Sequence, residues 1–277
     1  MKAVGICGSD VHYLKTMRCA DFIGHECAGV IEEMQPLQGR KIPSLPCART
    51  PPVHGSLANQ VVHPADMCFK LPDNVSLEEG AMCEPLSVGV HACRRAEVGP
   101  ETNVLVMGDG PIGLVTMLAA RAFGVPRIVI VVVDVDDNRL SVSKQLGADG
   151  IVKVTTSLED VEIKAIGSTI DVTSDCAGFN KTMSTALATT RCGGKVCLVG
   201  MGHGIMTLPL TQLQVVGVFR HKNTWPFCLE FLTRGKIDHI DVTPLITHRF
   251  GFCQKEVENA FETSACGSNA IKVMFNL

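Results

Sequence analysis

Three glycines, Gly108, Gly110 and Gly113, form a G-x-G-x-x-G motif between two apolar runs. The run at residues 103–107 predicts a buried parallel strand, and the helix formers at residues 114–123 predict a helix. In such a turn the first glycine allows a tight bend and the second lets the backbone approach a pyrophosphate at the helix N-terminus. The third lets helix and strand pack closely. The motif therefore predicts a dinucleotide-binding turn.

An acidic residue follows the next β-branched run, residues 127–133. Asp134 would accept hydrogen bonds from the ribose hydroxyls of the adenosine half. It lies beyond the usual spacing of about 20 residues from the glycines, so Asp136 is a second candidate. Negative charge at Asp134, Asp136 and Asp137 favours NAD over NADP, which carries a phosphate there. A glycine turn in another kind of α/β domain is the competing interpretation, but strand, helix and acid follow in the order that a dinucleotide site requires.

Cys7, His25 and Glu26 could together bind a zinc ion. Zinc accepts thiolate, imidazole and carboxylate ligands, and a catalytic site uses three protein ligands and leaves one position for water or substrate. Glu84 could hold that water from outside the ligand shell. Each residue also has an ordinary alternative, as a core thiol, a hydrogen-bonded core histidine or a rim carboxylate. Because the spacing matches no local ligand motif, the residues alone leave both interpretations open.

The composition indicates an ordinary globular protein. Hydrophobic residues make up 46% of the 277 residues and charged residues 19%, and the net charge of −3 gives no reason to expect nucleic acid or an anionic membrane. No apolar run approaches the length of about 20 residues that a membrane-spanning helix needs. The N-terminal residues lack an apolar signal core, so we expect a cytoplasmic location. The 13 cysteines include no C-x-x-C pair, which argues against a disulfide framework and a four-cysteine structural zinc.

Strands and helices alternate after the glycine turn, which predicts a parallel, doubly wound sheet. The predicted strands lie at residues 150–154, 169–176, 195–201 and 213–220, with helices at 138–146 and 180–190. A capping box at Ser76 and Glu79 predicts a helix that continues to about Arg95. Further predicted elements are a helix at 225–234 and strands at 55–62, 67–71, 243–250 and 270–275. The last two strands need N-terminal partners, so we expect two domains, with the chain leaving the first, forming the second and returning.

Five segments carry a family resemblance over nearly the whole chain. They are G-I-C-G-S-D-V-H-Y from Gly5, I-G-H-E-C-A-G from Ile23, C-E-P-L-S-V-G-V-H-A-C-R-R from Cys83, G-D-G-P-I-G from Gly108 and G-V-F-R-H-K-N-T-W-P from Gly217. The chain resembles the zinc-dependent medium-chain dehydrogenases, most closely the plant members of their sorbitol (L-iditol 2-) dehydrogenase branch. The resemblance implies oxidation of a polyol (sorbitol, xylitol or L-iditol) to the ketose, with NAD, one catalytic zinc and commonly a homo-oligomer.

The fold implied by this resemblance is α/β. A doubly wound parallel Rossmann sheet binds NAD, and a second, discontinuous, mostly β (GroES-like) domain carries the catalytic zinc. The boundaries are residues 1–86 for the N-terminal part of the catalytic domain, 87–220 for the NAD-binding domain and 221–277 for the C-terminal part of the catalytic domain.

The resemblance also assigns residues to the metal and the cofactor. It places zinc on Cys7, His25 and Glu26, with Glu84 on the zinc water. Around NAD it places Gly108, Gly110, Ile112, Gly113, Asp134, Arg139, Val199, Gly200, Met201, Val218, Phe219 and Arg220.

The polyol would contact Tyr13, Glu84 and Arg220, with His221 at the next position. Each also has an ordinary alternative, which is aromatic core packing for Tyr13 and a surface ion pair for Arg220, and the resemblance favours the substrate site. Ser9 could pass the proton outward, or it could be a simple turn hydroxyl.

The chain departs from the family pattern in several places. The segment at residues 34–50 is shortened and keeps only Cys47 of a cysteine-rich lobe, and the stretches before Ile23 and Val215 are shorter too. The usual tyrosine after the substrate arginine is His221. Two other functions therefore stay open: an NAD-binding homologue with impaired catalysis, and a zinc dehydrogenase that acts on a different secondary alcohol.

Overall fold

The computed structural model describes residues 1–16, 23–33, 53–132, 137–153, 170–202, 214–238, 241–267 and 269–277. In this part of the chain the strands are β1 (Ala3–Gly5), β2 (Glu26–Ala28), β3 (Asn103–Met107), β4 (Arg127–Val132), β5 (Gly150–Lys153), β6 (Ile170–Asp175), β7 (Thr190–Leu198), β8 (Gln214–Gly217), β9 (Ile246–Phe250) and β10 (Lys272–Asn276). The helices are α1 (Gly8–Lys15), α2 (Leu77–Ala81), α3 (Cys83–Ala96), α4 (Pro111–Ala122), α5 (Asp137–Gln145), α6 (Asn180–Thr189), α7 (Trp225–Asp238) and α8 (Gln254–Cys266).

The larger sheet is parallel throughout, with six strands in the order β5-β4-β3-β6-β7-β8. β3 lies near its centre because the strand is apolar on both faces, and Val106 and Met107, which point to opposite faces, are fully buried. Helix α4 packs against it with Leu114, Met117 and Leu118, which are also fully buried. The strand order reverses between β3 and β6, and in open parallel sheets ligands bind at the carboxyl ends of the strands on either side of such a reversal.

The smaller sheet has four strands in the order β2-β1-β10-β9 and is mixed. β1 pairs antiparallel with both β2 and β10, while β10 and β9 run parallel. The sheet therefore joins the two ends of the sequence. Its core contains Val4, Ile6, Val273 and Phe275, packed against Ala260 of α8.

The chain forms two compact units. One contains residues 1–84, 225–233 and 246–277, and the other contains residues 85–224 and 234–245. The expected fold class, a parallel α/β sheet with a second, mixed sheet built from both ends of the chain, is confirmed. The exact domain boundaries given above stay a prediction.

Two predicted strands are wrong. Residues 55–62 form no strand. Residues 67–71 form none either, because a 3₁₀ turn at Ala65–Met67 is followed by irregular chain. The first segment does lie against residues 23–24, through backbone hydrogen bonds from Ser56 N to Gly24 O (2.8 Å) and from Leu57 N to Ile23 O (2.9 Å). Val62 is 94% exposed, so the segment lacks the continuous buried apolar face that its sequence suggested.

Candidate metal centre and nucleotide site

Cys7 stands at the start of helix α1, in an extended conformation just before the first helical residue. Asp10, three residues later, accepts a hydrogen bond from the Cys7 backbone N–H through Oδ2 at 2.9 Å. An acidic side chain in the first turn is favourable because it satisfies an unpaired N–H and faces the positive end of the helix dipole. The helix start thus fixes the position of the Cys7 thiol.

His25 and Glu26 come from the edge of the smaller sheet. Gly24 has a φ of +93°, which turns the chain immediately before His25. Glu26 is the first residue of β2, and both side chains are buried. The turn and the strand together direct this histidine and carboxylate toward Cys7.

The structure brings the three predicted metal ligands together. The ligand atoms of Cys7, His25 and Glu26 all lie within 4.8 Å of one another, and no other such cluster occurs among the described residues. A thiol, an imidazole and a carboxylate are ligand types that zinc accepts, and three protein ligands leave a fourth position open. The donor set therefore fits a catalytic zinc.

Asp10 is a residue of this site that the sequence analysis missed. Its Oδ1 lies 3.3 Å from His25 Nδ1 and accepts from Gly24 N at 3.3 Å. Asp10 is close enough to His25 for an ion pair, but Nδ1 makes no well-formed hydrogen bond. The available signal was the acid three residues after Cys7, a position typical of a helix-capping side chain.

Electrostatics favour a bound cation or proton at His25. Burial by itself would lower the pKa of its imidazole. Asp10 and Cys7 raise that pKa by more than burial lowers it, so the pKa rises to about 12. Its neighbours therefore favour positive charge at this imidazole, and a metal bound there would take the place of the proton.

Glu84 and Lys272 are the next charged groups. Glu84 lies near the start of α3 and is buried, and its charge acts on both Glu26 and Lys272. Lys272 Nζ donates to both carboxylate oxygens of Glu26 at 2.7 Å. Burial raises the pKa of the Glu26 carboxyl, and Lys272 opposes that change. The sequence analysis missed Lys272, because nothing in the sequence around it marks it.

Ser9 and Tyr13 lie on α1, directly after Cys7, and both are half-buried. The helix places them on the same element as one metal ligand. Arg220 and His221 follow β8 in the other unit and are half-buried as well. Arg220 has a φ of +57°, and its guanidinium lies 5.2 Å from the centroid of the Phe219 ring.

The glycine turn has the geometry that the motif predicts. Gly108 has a φ of +99°, which favours glycine. A Cβ on Gly113 would lie 1.9 Å from the Gly108 carbonyl oxygen, so no larger residue fits. Gly110 is the N-cap of α4, and a Cβ there would meet no protein atom within 4 Å. Ile112, in the first turn of α4, is half-buried.

The end of β7 lies beside the end of β6 near this turn. The backbone N–H groups of Val199 and Gly200 both donate to the Asp175 carbonyl at 2.9 Å. A Cβ on Gly200 would lie 2.6 Å from Gly178 N, so this crossing also requires glycine. Met201 follows as an exposed side chain. These residues belong to the carboxyl edge of the parallel sheet, where a dinucleotide binds in this type of fold.

The remaining cofactor candidates are less informative. Asp134 and its alternative Asp136 lie outside the described residues. Arg139 lies in the first turns of α5 and is half-buried. Val218 is half-buried and Phe219 is 83% exposed, so the phenyl ring is free to meet a ligand.

Comparison with known proteins identifies both parts of the chain. Residues 1–73 match the alcohol dehydrogenase GroES-like domain, and residues 111–234 match the zinc-binding dehydrogenase family. A sorbitol dehydrogenase of Arabidopsis thaliana is 72% identical over the whole chain and 87% of its own length. The L-idonate 5-dehydrogenase of Vitis vinifera is 61% identical with the same coverage.

A solved structure from E. coli, described as a short chain alcohol dehydrogenase in complex with NADH, shares the fold. Its TM-score is 0.87 at 23% identity, covering the whole of this chain and 90% of its own. The alignment to the Arabidopsis relative spans 322 positions against 277 residues here, which confirms that this chain is internally shortened. The chain belongs to the zinc-dependent medium-chain dehydrogenase family, and its resemblance to the plant sorbitol dehydrogenases is confirmed.

Proposed function

We propose that this chain oxidises a polyol such as sorbitol, xylitol or L-iditol to the ketose, with NAD as the acceptor and one catalytic zinc. The observation that carries the proposal is the meeting of Cys7, His25 and Glu26 within 4.8 Å. The 72% identity to a sorbitol dehydrogenase supports the substrate class. When bound, zinc supplies a Lewis acid that lowers the pKa of a secondary hydroxyl, and NAD supplies the hydride acceptor.

The residues of the metal unit have distinct roles in this proposal. Cys7, His25 and Glu26 hold the metal, and Glu84 holds the water at its open position. Ser9, half-buried on α1, passes the hydroxyl proton outward. Tyr13, on the same helix, orients the substrate by hydrogen bonding to a hydroxyl that does not react.

The residues around the glycine turn bind the cofactor in this proposal. The backbone around Gly108, Gly110 and Gly113 cradles the pyrophosphate at the start of α4. Arg220 and His221 would hydrogen-bond to remote hydroxyls of the polyol. Asp134 or Asp136 would accept from the adenosine ribose and disfavour the 2′-phosphate of NADP. Ile112, Arg139, Val199, Gly200, Met201, Val218 and Phe219 would line the cofactor.

A second candidate substrate is supported by a specific relative. The Vitis vinifera protein, 61% identical, is an L-idonate 5-dehydrogenase. L-Idonate also offers a secondary hydroxyl but carries a carboxylate, so a cationic side chain such as Arg220 suits it. The alternative of a catalytically impaired NAD-binding homologue is not favoured, because all three metal donors and the glycine turn are present.

The experiment is a substrate panel combined with metal analysis. We expect one zinc per chain and NAD reduction with sorbitol, xylitol and L-iditol that exceeds the rate with L-idonate. Cys7→Ser should remove the metal and turnover while NAD binding is retained. Faster turnover of L-idonate would select the second candidate, and a chain that binds no zinc would refute both.

Two broader properties remain predictions. None of the helices in the described part of the chain has the length and apolar character needed to cross a bilayer. The cytoplasmic location stays a prediction from the sequence.

We also propose a homo-oligomer, because the edge strand β8 (Gln214–Gly217) is largely exposed. Light scattering on the purified chain tests this.

A further inference from the structure

Lys272 is a buried charged residue that the proposed mechanism does not use. It is the first residue of β10 and only 2% exposed. Its ammonium donates to Oε1 and Oε2 of Glu26 at 2.7 Å each and to the Ile6 carbonyl at 3.2 Å. An ammonium has three donors, so these three contacts satisfy it fully.

The sheet is built to let these two side chains meet. Glu26 on β2 pairs with Gly5 on the central strand β1, and Gly5 pairs on its other side with Met274 of β10. Lys272 lies two residues before Met274, which places it on the same face of the sheet. A Cβ on Gly5 would lie 2.2 Å from Glu26 Oε2. The missing side chain at Gly5 therefore gives the carboxylate room to reach across β1.

The contact has a consequence for the metal centre. Glu26 is also one of the three clustered metal donors, and it is 1% exposed. Both oxygens accept from the ammonium, so the oxygen that would bind the metal is already paired with Lys272. Two cations that share one carboxylate each bind it more weakly than either would alone, and low solvent access makes this competition strong.

We infer that Lys272 is a positioning residue that competes with the metal for the Glu26 carboxylate and so weakens zinc binding. The inference rests on the proposed function, which puts zinc on Glu26. Lys272 Nζ donates to both carboxylate oxygens of Glu26 at 2.7 Å, which is the geometry of an ammonium paired with a carboxylate. In the metal-free chain Lys272 compensates the buried carboxylate, and in the loaded chain zinc shares that role.

The sign of one measured change separates this inference from an ordinary supporting role. Partners that support a metal ligand typically lower metal affinity by about 10- to 100-fold when they are removed. Competition predicts the opposite. Lys272→Met should tighten zinc binding by about tenfold or more, because the metal-free state then contains an unpaired buried carboxylate. Lys272→Arg keeps the charge and should stay close to the wild type.

The experiment measures zinc affinity with a chromogenic chelator for wild type, Lys272→Met and Lys272→Arg. The effect should vanish when Glu26→Gln is combined with Lys272→Met, compared with Glu26→Gln alone. Cobalt in place of zinc gives a second readout, since its thiolate and d–d absorption bands should shift in Lys272→Met. Unchanged or weaker zinc binding in Lys272→Met would overturn the inference.

Folding of the variant is itself informative. If metal-free Lys272→Met does not fold, the variant is refolded with zinc and the rate of zinc release to the chelator is compared; slower release supports the inference. A variant that fails to fold even with zinc overturns it, because zinc should compensate the Glu26 charge. Wild-type protein that binds no zinc, or whose zinc survives Cys7→Ser, refutes the proposed site instead, so the two failures are distinguishable.

Discussion

Asp10 shows how a single residue that is not a metal ligand can define the metal centre. Its carboxylate accepts from Cys7 N and Gly24 N and lies 3.3 Å from His25 Nδ1, so it joins the segments that carry two of the ligands. We expect Asp10→Ala to lower zinc affinity by about 10- to 100-fold. Asp10→Asn keeps the shape and should lose less. Zinc titration of both variants checks this, and equal losses would mean that the shape of the Asp10 side chain contributes nothing beyond its charge.

The glycines of the nucleotide turn give a matched pair of variants. A Cβ at Gly113 would collide with the Gly108 carbonyl, whereas a Cβ at Gly110 would meet open space. Gly110→Ala should therefore leave the melting temperature unchanged while it weakens NAD binding, because the methyl group would occupy the place of the pyrophosphate. Gly113→Ala should lower the melting temperature itself. Thermal melts and NAD titration check both, and undiminished NAD affinity in Gly110→Ala would contradict the assignment.

The sequence could identify residues whose neighbours in the chain mark them, but not those that only the fold brings together. Gly108, Gly110 and Gly113 are recognisable because strand and helix flank them. Glu26 and Lys272 are 246 residues apart, and their contact depends on strands β2, β1 and β10 lying side by side. No local pattern marks such a pair, so the sequence alone could not identify Lys272 as the partner of Glu26.

Helix α2 is attached to the smaller sheet through one carboxylate. Glu78 accepts from Arg249 Nε and Nη2 on β9 at 2.8–3.0 Å and from Asn276 Nδ2 on β10 at 3.1 Å. These donors lower the pKa of Glu78. A carboxyl with a lowered pKa in the fold stabilises above its unfolded pKa, and the stabilisation is lost as the pH falls through the folded value.

Glu78→Gln should therefore lower the free energy of unfolding at pH 7 by about 0.5–1.5 kcal/mol, a modest value because the pair is partly exposed. The difference from wild type should begin to shrink as the pH falls below the ordinary glutamate pKa of about 4.3, and it should vanish below the lowered pKa of Glu78. Denaturant melts across this range measure it. Glu97→Gln, which breaks the exposed contact to Lys195, is the matched control and should change little. A difference that persists in acid would rule out the ionic origin.

Elements with strong periodic signals were predictable, and elements stabilised by tertiary contacts were not. The strand at Asn103–Met107 and the alternation through β8 follow from apolar runs bounded by glycines. Helix α1 was missed because its eight residues are mostly polar and its start depends on the Asp10 cap. Residues 55–62 look like a strand in sequence, yet they form bends and irregular structure, with Val62 exposed.

At the scale of the whole molecule, the two compact units divide the two proposed ligands between them. The zinc donors Cys7, His25 and Glu26 lie in one unit, and the glycine turn lies in the other. A ligand stabilises the structure that holds it and slows the local opening through which amide hydrogens exchange. Each ligand should therefore slow amide hydrogen exchange in the unit that binds it.

We expect zinc to slow exchange at the amides of Cys7 and Gly24, which already donate to Asp10. NAD should slow exchange in the glycine turn, because a bound pyrophosphate accepts from N–H groups at the start of α4. It should also slow exchange at the amides of Val199 and Gly200, because a bound ligand holds the ends of β3, β6 and β7 together. Buried β3 should stay slow in all states, which makes it an internal reference. Hydrogen–deuterium exchange with zinc alone, NAD alone and both measures this. Protection of the glycine turn by zinc alone would contradict the separate assignment, because the metal would then be acting on the nucleotide unit.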